Sequence, residues 1–159
     1  MSTGPKAFIH EATMEDMGRV IAFARGADKE EATAMTGKPF VEALVQSYRC
    51  SSHCWVGYAD IMPVCLFGVA PINSFAGTAA PWMIGTTALD DQRVARKFVR
   101  ENGAMVTQMN ELYDHLYNWV DARNVAAIRW LKWLGFEVGE AAPFGPEGLP
   151  FHYFEKRRA

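Results

Sequence analysis

Apolar positions recur along this chain in two rhythms, helical and strand-like, and their alternation sets out an architecture. Phe8, Ile9 and His10 form a short run ending at Glu11-Ala12, which predicts a first strand. Thr13 then stands at a helix N-cap place with Asp16 in the capping-box position, and Met14, Met17, Val20, Ile21 and Ala24 follow helical spacing. Gly26 predicts the exit of that helix, and the Ala-, Lys-, Glu- and Thr-rich stretch from there to Pro39 reads as a loop. After Pro39, the residues Phe40, Val41, Leu44, Val45 and Tyr48 repeat as a second amphipathic helix.

The rhythm then changes to that of strands. Residues 54–59 and 64–70 are strand-like runs joined by Asp60-Ile61-Met62-Pro63, a predicted hairpin. Residues 71–81 read as a small-residue connection, and residues 82–87 as a further strand in which Gly85 predicts a bulge or a close backbone approach. A helix starts at Asp90 or Asp91 with Val94 and Phe98 on one face, and Gly103 marks an interruption before residues 105–112 continue it. Residues 116–122 predict a strand, 125–134 a helix and 136–138 a strand. A Gly- and Pro-rich loop over 139–150 leads to a last strand at 151–155. This order describes one α+β domain over residues 1–159, a sheet with helices on both faces, without internal repeat or linker.

Composition narrows the picture. Half of the 159 residues are hydrophobic, enough for one well-filled core and too few for two ordinary domains. A net charge of −2 gives no bulk attraction to nucleic acid or to an anionic membrane, so neither is an expected partner. The longest apolar run, residues 62–72, is broken by proline and glycine and falls short of the ~20 residues of a membrane span. Met1 to Lys6 is polar, with no apolar signal segment. Three cysteines, an odd number, fit a reducing cytoplasm. Cys50, His53, Cys54 and Cys65 lie near one another, yet Cys-x2-His-Cys is not a familiar zinc spacing, and no metal is expected.

The most specific pattern runs from Asn118 to Phe136. Asn124 is placed to cap a short helix, small Ala127 lets that helix lie close to a sheet and Ile128 follows. Gly135 supplies a left-handed stop, and Phe136 enters the next strand. Together with the element order, this resembles the closing β-α-β unit of the GNAT acetyltransferase superfamily. Pro81-Trp82-Met83-Ile84-Gly85-Thr86, the run from Asn118 to Asn124, the run from Ile128 to Phe136 and Phe151-His152 are similar to a phage-associated branch. Members of that branch occur in tailed phages and prophages, some named as internal virion proteins. The resemblance implies a GNAT fold, with a mixed, mostly antiparallel central sheet whose fourth and fifth strands splay apart. It also implies acetyl-CoA as cofactor and N-acyl transfer to a small-molecule or protein amine. A homodimer or phage structural proteins are the implied partners, in the bacterial host cytoplasm or in a virion. The alternative is a non-catalytic virion or assembly protein on the same fold.

In that fold the pantetheine arm pairs with the open edge of the fourth strand, and the pyrophosphate rests on the start of the next helix. The resemblance therefore places cofactor contacts at Ile84, Gly85, Thr86, Thr87, Gln92, Arg93, Arg96 and Asn124. The family's phosphate loop runs Arg or Gln, two residues, Gly, one residue, Gly or Ala. From Gln92 those places hold Ala95 and Lys97, and from Arg93 they hold Arg96 and Phe98, so the glycines are missing. Arg93, Arg96, Lys97 and Arg100 form a basic helical stripe, read either as a phosphate contact or as a solvated face. The family's tyrosine acid, seven residues after the Asn, is Leu131 here, and no catalytic residue is assigned. Tyr153, Tyr117 and His152 are substitutes by chemistry for the acid, and Glu11, His53 and His115 for the base. Trp130 and Trp133 share a helix face and predict either a partner surface or packing beneath the loop around Pro143 and Phe144.

Overall fold

A computed structural model describes residues 4–159. Strand β1 (Ala7–Glu11) leads through Thr13 into helix α1 (Met14–Phe23). The capping box closes in both directions: the Asp16 N–H donates to Thr13 Oγ1 at 3.2 Å and the Thr13 N–H to Asp16 Oδ2 at 2.9 Å. Helices α2 (Gly26–Thr36) and α3 (Phe40–Cys50) follow, then strands β2 (His53–Ala59), β3 (Met62–Asn73) and β4 (Thr78–Gly85). A 3₁₀ turn over Thr87–Asp90 enters the long helix α4 (Gln92–Leu112). The chain closes with β5 (His115–Asp121), α5 (Val125–Trp133), β6 (Glu137–Phe144) and β7 (Leu149–Arg157).

The strands form one seven-stranded sheet in the order β1-β2-β3-β4-β5-β7-β6. Every neighbouring pair is antiparallel except β4 and β5, which run parallel. Alternation along the strands divides the core between the two faces. Val56, Leu66 and Ile84 pack with Met17, Val20 and Leu44 of α1 and α3. Phe67, Leu116 and Val120 pack with Phe98 and Val106 of α4 and Trp130 of α5.

The structure corrects several sequence expectations. Gly26 opens a helix instead of closing one, and the stretch that reads as a loop is the 11-residue helix α2. Its inward positions include Asp28 and Ala34, so the buried face carries no large apolar residue and the hydrophobic period has nothing to register. Gly103 does not interrupt α4, which runs through it for 21 residues, and nothing lies within 4 Å of where its Cβ would stand. Residues 71–81 are mostly strand, since β3 continues to Asn73 and β4 begins at Thr78. The 139–150 loop is likewise a hairpin of β6 and β7, with its turn between Phe144 and Leu149. That turn rests on α2, where a Cβ on Gly145 would overlap the Ala34 carbonyl oxygen. Gly85 marks a close approach and not a bulge: the β3–β4 register runs unshifted through it, and an added Cβ would stand 2.7 Å from Leu89 Cδ1 and 3.2 Å from Asp28 Oδ2.

Candidate functional site

Strands β4 and β5 pair only at Thr78–His115 and Ala79–Leu116, and beyond that they diverge. A buried strand edge without a neighbour leaves backbone groups that must be satisfied in some other way. Side chains supply most of the bonds here. Asn118 spans the gap, its Nδ2 donating to the Pro81 carbonyl at 3.0 Å while its Oδ1 accepts the Trp119 N–H at 2.9 Å. Farther along, two carboxylates of α2 close the mouth. Asp28 Oδ2 accepts the Gly85 N–H of β4 at 2.7 Å, and Glu31 Oε1 accepts the Asp121 N–H of β5 at 2.8 Å. The Gly85 carbonyl accepts the Arg25 N–H at 2.9 Å, so the start of α2 stands in for the missing strand. Alternation puts the N–H and C=O of Met83 on this same edge, between the capped Pro81 and the capped Gly85, facing the gap.

Asn124 ties the mouth together. It is 2 % exposed and caps α5, its Oδ1 accepting the Ala127 N–H at 3.3 Å. Its Nδ2 donates to Asp28 Oδ1 at 2.8 Å and to Glu31 Oε1 at 3.5 Å. Both carboxylates are thus held by neutral donors. Burial raises the Asp28 carboxyl above its ordinary value, with Arg25 the charge that opposes the rise. Burial also pushes Glu31 up to about 8, assisted by the nearby carboxylates of Asp28 and Asp121. Asp121 goes the other way: burial is outweighed by its hydrogen bonds from Arg123, and its carboxyl lies below the ordinary value.

The divergence opens a cleft of about 360 Å³ that passes through the sheet. On one face it is lined by Asp28, Glu31 and Met35 of α2 and by α3, and on the other by Asn102 and Met105 of α4 and by Trp130 and Leu131 of α5. Among the described residues, two buried polar atoms on this lining have no partner: Asn102 Oδ1, an acceptor, and Trp130 Nε1, a donor. The Asn102 amide nitrogen has only sulfur partners, the Met83 thioether at 3.8 Å and the Cys65 thiol.

The predicted contact residues fall into two groups. Ile84, Gly85, Thr86 and Asn124 gather at the mouth, although Thr86 is engaged by its own surroundings, donating to the Pro63 carbonyl at 2.6 Å and accepting the Ala88 N–H at 3.2 Å. Thr87, Gln92, Arg93 and Arg96 are exposed around the start of α4, away from the cleft lining. At that start Asp91 is the cap, accepting the Arg93 N–H at 2.9 Å, and the Arg93 guanidinium returns to Asp91 Oδ2 at 3.0 Å. The basic stripe is divided further by Lys97, whose Nζ donates to the Pro5 carbonyl at 2.6 Å.

Among the acid and base candidates, Tyr117, Tyr153, His152, Glu11, His53 and His115 all lie off the lining. Tyr117 and Tyr153 instead pack together in an aromatic row with ring centroids 5.8 Å apart, and burial together with Glu155 pushes Tyr153 up to about 12. Burial likewise pushes the thiols of Cys54 and Cys65 up to about 12, so neither is a thiolate at neutral pH. Trp130 and Trp133 part company: Trp130 is buried, Trp133 is 61 % exposed, and Phe144 stacks on Trp119 at 4.6 Å instead of covering them.

No family model matches the sequence, and no curated protein matches it. Solved structures do. An N-acetyltransferase from Staphylococcus aureus Mu50 superposes with a TM-score of 0.69 at 16 % identity, over 96 % of this chain and 98 % of that one. An acetyltransferase of the GNAT family from Streptococcus pneumoniae gives 0.66 at 13 % identity, over 97 % and 100 %. The Salmonella typhimurium protein yncA, solved with its cofactor acetyl-CoA, gives 0.62 at 12 % identity, over 96 % and 94 %. The chain has the GNAT fold.

Against that fold, two residues stand out that sequence reasoning passed over, Asp28 and Glu31. Both lie on α2, which a search for apolar periodicity passes over. Their three-residue spacing, one turn of a helix, is the only trace they leave in the sequence.

Proposed function

We propose that this chain is an N-acyltransferase of the phage-type GNAT branch, taking its acyl group from acetyl-CoA and passing it to an amine. The observation that carries this is the unpaired couple in the cleft, Asn102 Oδ1 and Trp130 Nε1, beside the open strand edge at Met83. Each orphaned buried polar atom costs about 1–3 kcal/mol. A ligand bearing amide N–H and C=O groups relieves both, and the pantetheine arm is a chain of such amides. The residues present therefore fit the arm, with Met83 offering strand pairing and Asn102 and Trp130 the flanking bonds. When bound, acetyl-CoA supplies an acyl thioester open to attack by an amine. Met105, Met83 and Leu131 keep that part of the cleft apolar and exclude water, and Leu131 moves no proton.

The phosphate end fits less well. The first amides of α4 are where a helix binds an anion, and Asp91 already occupies them with its own carboxylate. This observation favours the second reading, a non-catalytic virion or assembly protein that keeps the fold. Trp133 supports a partner surface in either case, for a second copy or for a phage structural protein. Among the described residues no helix is long and apolar enough to cross a membrane.

Calorimetry with acetyl-CoA and with S-acetylpantetheine, which lacks the nucleotide, tests the assignment. Both are expected to bind. At 100-fold above its dissociation constant, acetyl-CoA should add about 2.7 kcal/mol, raising Tm by about 5–10 °C. Asn102→Leu should weaken both ligands about tenfold without destabilising the free protein. No heat and no Tm shift with either ligand at millimolar concentration would reject the acyltransferase in favour of the assembly protein.

A further inference from the structure

The lining of the cleft changes character along α4. Asn102, Met105, Val106 and Met109 fall on one face of this helix and line the opening, and only the first is polar. Asn102 Oδ1 and Trp130 Nε1 therefore stand at a boundary, with the mouth on one side and hydrocarbon on the other. Past it, Leu134 at the end of α5, Phe136 just before β6 and Phe154 of β7 complete the wall. Among the described residues, the other polar side chain of β5 on this lining is Asn118, already bonded to the Pro81 carbonyl and the Trp119 N–H. Val106, Met109, Phe136 and Phe154 are buried and still line the opening, so the cleft reaches beneath the surface. It also has a floor, because Leu116, the next inward residue of β5, is fully buried and lies off the lining. The α3 wall across the sheet differs, with Gln46, Ser47 and Cys50 beside Leu44.

An empty apolar space forfeits contacts for every atom around it, and water finds no partner there. A cavity of about 150 Å³ lined in this way stays dry and takes a benzene-sized guest. The whole cleft, at about 360 Å³, is more than twice that. An acetyl group brings one methyl carbon to it. From Asn102 to Met109 the helix advances about 10 Å, the reach of a chain of about eight carbons.

We propose that this deep end is an acyl-chain pocket, and that the preferred donor is a thioester of a medium-chain fatty acid in place of the acetyl one. This rests on the acyltransferase reading for the position of the thioester, which bonds from Asn102 and Trp130 to the arm would leave beside Met105 and Leu131. Leu131 then has a task of its own. The tyrosine of the family would put a hydroxyl against methylenes, where it has no partner, and leucine continues the hydrocarbon wall. Met105 and Met109 are flexible and polarisable, so they close around a chain that occupies more than one conformation. The floor sets the length: carbons that reach Met109 leave water, and later ones have nowhere to go.

The test is calorimetry of the full chain with acetyl-, butyryl-, hexanoyl-, octanoyl- and dodecanoyl-CoA. Affinity should rise about two- to fourfold for each added methylene up to about eight carbons and then stop rising. Octanoyl-CoA should therefore bind at least about tenfold more tightly than acetyl-CoA. Val106→Phe, which pushes a ring into the deep end, should cancel that preference and leave acetyl-CoA affinity unchanged. Ser47→Phe, on the α3 wall, should leave the whole series unchanged. If Val106→Phe does not fold, Met109→Phe narrows the same space, and the wild-type series stands without any variant. Equal affinity for acetyl- and octanoyl-CoA would overturn the pocket and keep the acyltransferase. A preference cancelled by Ser47→Phe and not by Val106→Phe would also overturn it, since the tail would lie on the α3 face. So would a preference untouched by both variants, the mark of nonspecific adsorption. Absence of binding by every thioester would reject the acyltransferase itself, and the pocket with it.

Discussion

The same three-residue device guards both helix starts of the splay, Asp91-Gln92-Arg93 before α4 and Asp121-Ala122-Arg123 before α5. In each the aspartate accepts the N–H two residues on at 2.9 Å. In each the arginine folds back onto it, at 3.0 Å for Arg93 and 2.7 Å for Arg123. The surroundings reverse their meaning. The Asp121 side chain is 2 % exposed, and its own backbone N–H is the one that Glu31 holds. The Asp91 side chain is 41 % exposed, and its bonds are local ones, to Arg93 and to the Val94 N–H of the same helix start. Local turn chemistry is therefore framework at one helix and a removable plug at the other. Burial decides which, because a charge-assisted bond in water contributes little and the same bond in the interior is hard to replace.

The largest break in this comparison comes from the buried side. Asn124→Ala removes the α5 cap and takes a donor from Asp28 and Glu31 together. It should cost about 2–4 kcal/mol, combining a lost cap with a buried acceptor left short of bonds. Urea unfolding would show it as a lower midpoint at unchanged slope. Next in size is the difference between the two clamps. Asp121→Ala should cost about 2 kcal/mol, and Asp91→Ala, whose clamp stands in water, clearly less. Equal losses would mean that burial does not separate them.

Taking the plug away should also be felt by a ligand. Asp91→Ala removes a carboxylate from the positive end of α4 and frees Arg93, so acetyl-CoA should bind about fivefold more tightly at low salt. The gain should fade toward 1 M salt, where the screening length is about 3 Å. Asp121→Ala offers no such gain. An unchanged affinity in Asp91→Ala would place the nucleotide of acetyl-CoA elsewhere than at the start of α4.

What the sequence makes legible follows the same division. Features built from neighbours in the chain can be read directly. The Thr13–Asp16 capping box and Asn124 as a cap need only local chemistry, and the structure contains both; at Gly85 the sequence offers a bulge or a close approach, and the structure holds the close approach. Features built across the fold cannot. Asp28 reaches Gly85 over 57 positions and Asn124 over 96, and no spacing rule connects them. The helix that carries Asp28 and Glu31 stays hidden for a related reason. Residues that serve the site have replaced the apolar residues by which a buried helix face is recognised. Pro71 and Pro81 hid the true ends of β3 and β4 because proline ordinarily argues against a strand interior.

The remaining effect, a pH dependence, is of about the same size as that gain, and it separates the α2 acids from both clamps. An unfolded chain releases the Glu31 proton near the ordinary value of 4.5, and the folded chain keeps it until about 8. Between those values the folded state holds more protons, so its stability falls as pH rises across the window and levels off above it. Asp28, also raised, contributes with the same sign. Asp91 and Asp121 are both lowered, so their contribution is complete above the ordinary carboxylate value of 3.8 and is lost only at lower pH. Tm should therefore decline from pH 5 to pH 8.5 in the wild type. The Asp91→Ala curve, although offset, should run parallel to it, and the Asp121→Ala curve should flatten only slightly, because Asp121 is one of the carboxylates that raise Glu31. Glu31→Gln should be the flattest, level with the wild type near pH 5 and about 2–4 °C above it at pH 8.5. That is the equivalent of about 1 kcal/mol in a domain of this size, modest because Glu31 opens onto the cleft. If the clamp variants flattened the curve and Glu31→Gln did not, the titrating charge would sit at a helix start instead of at the mouth of the cleft.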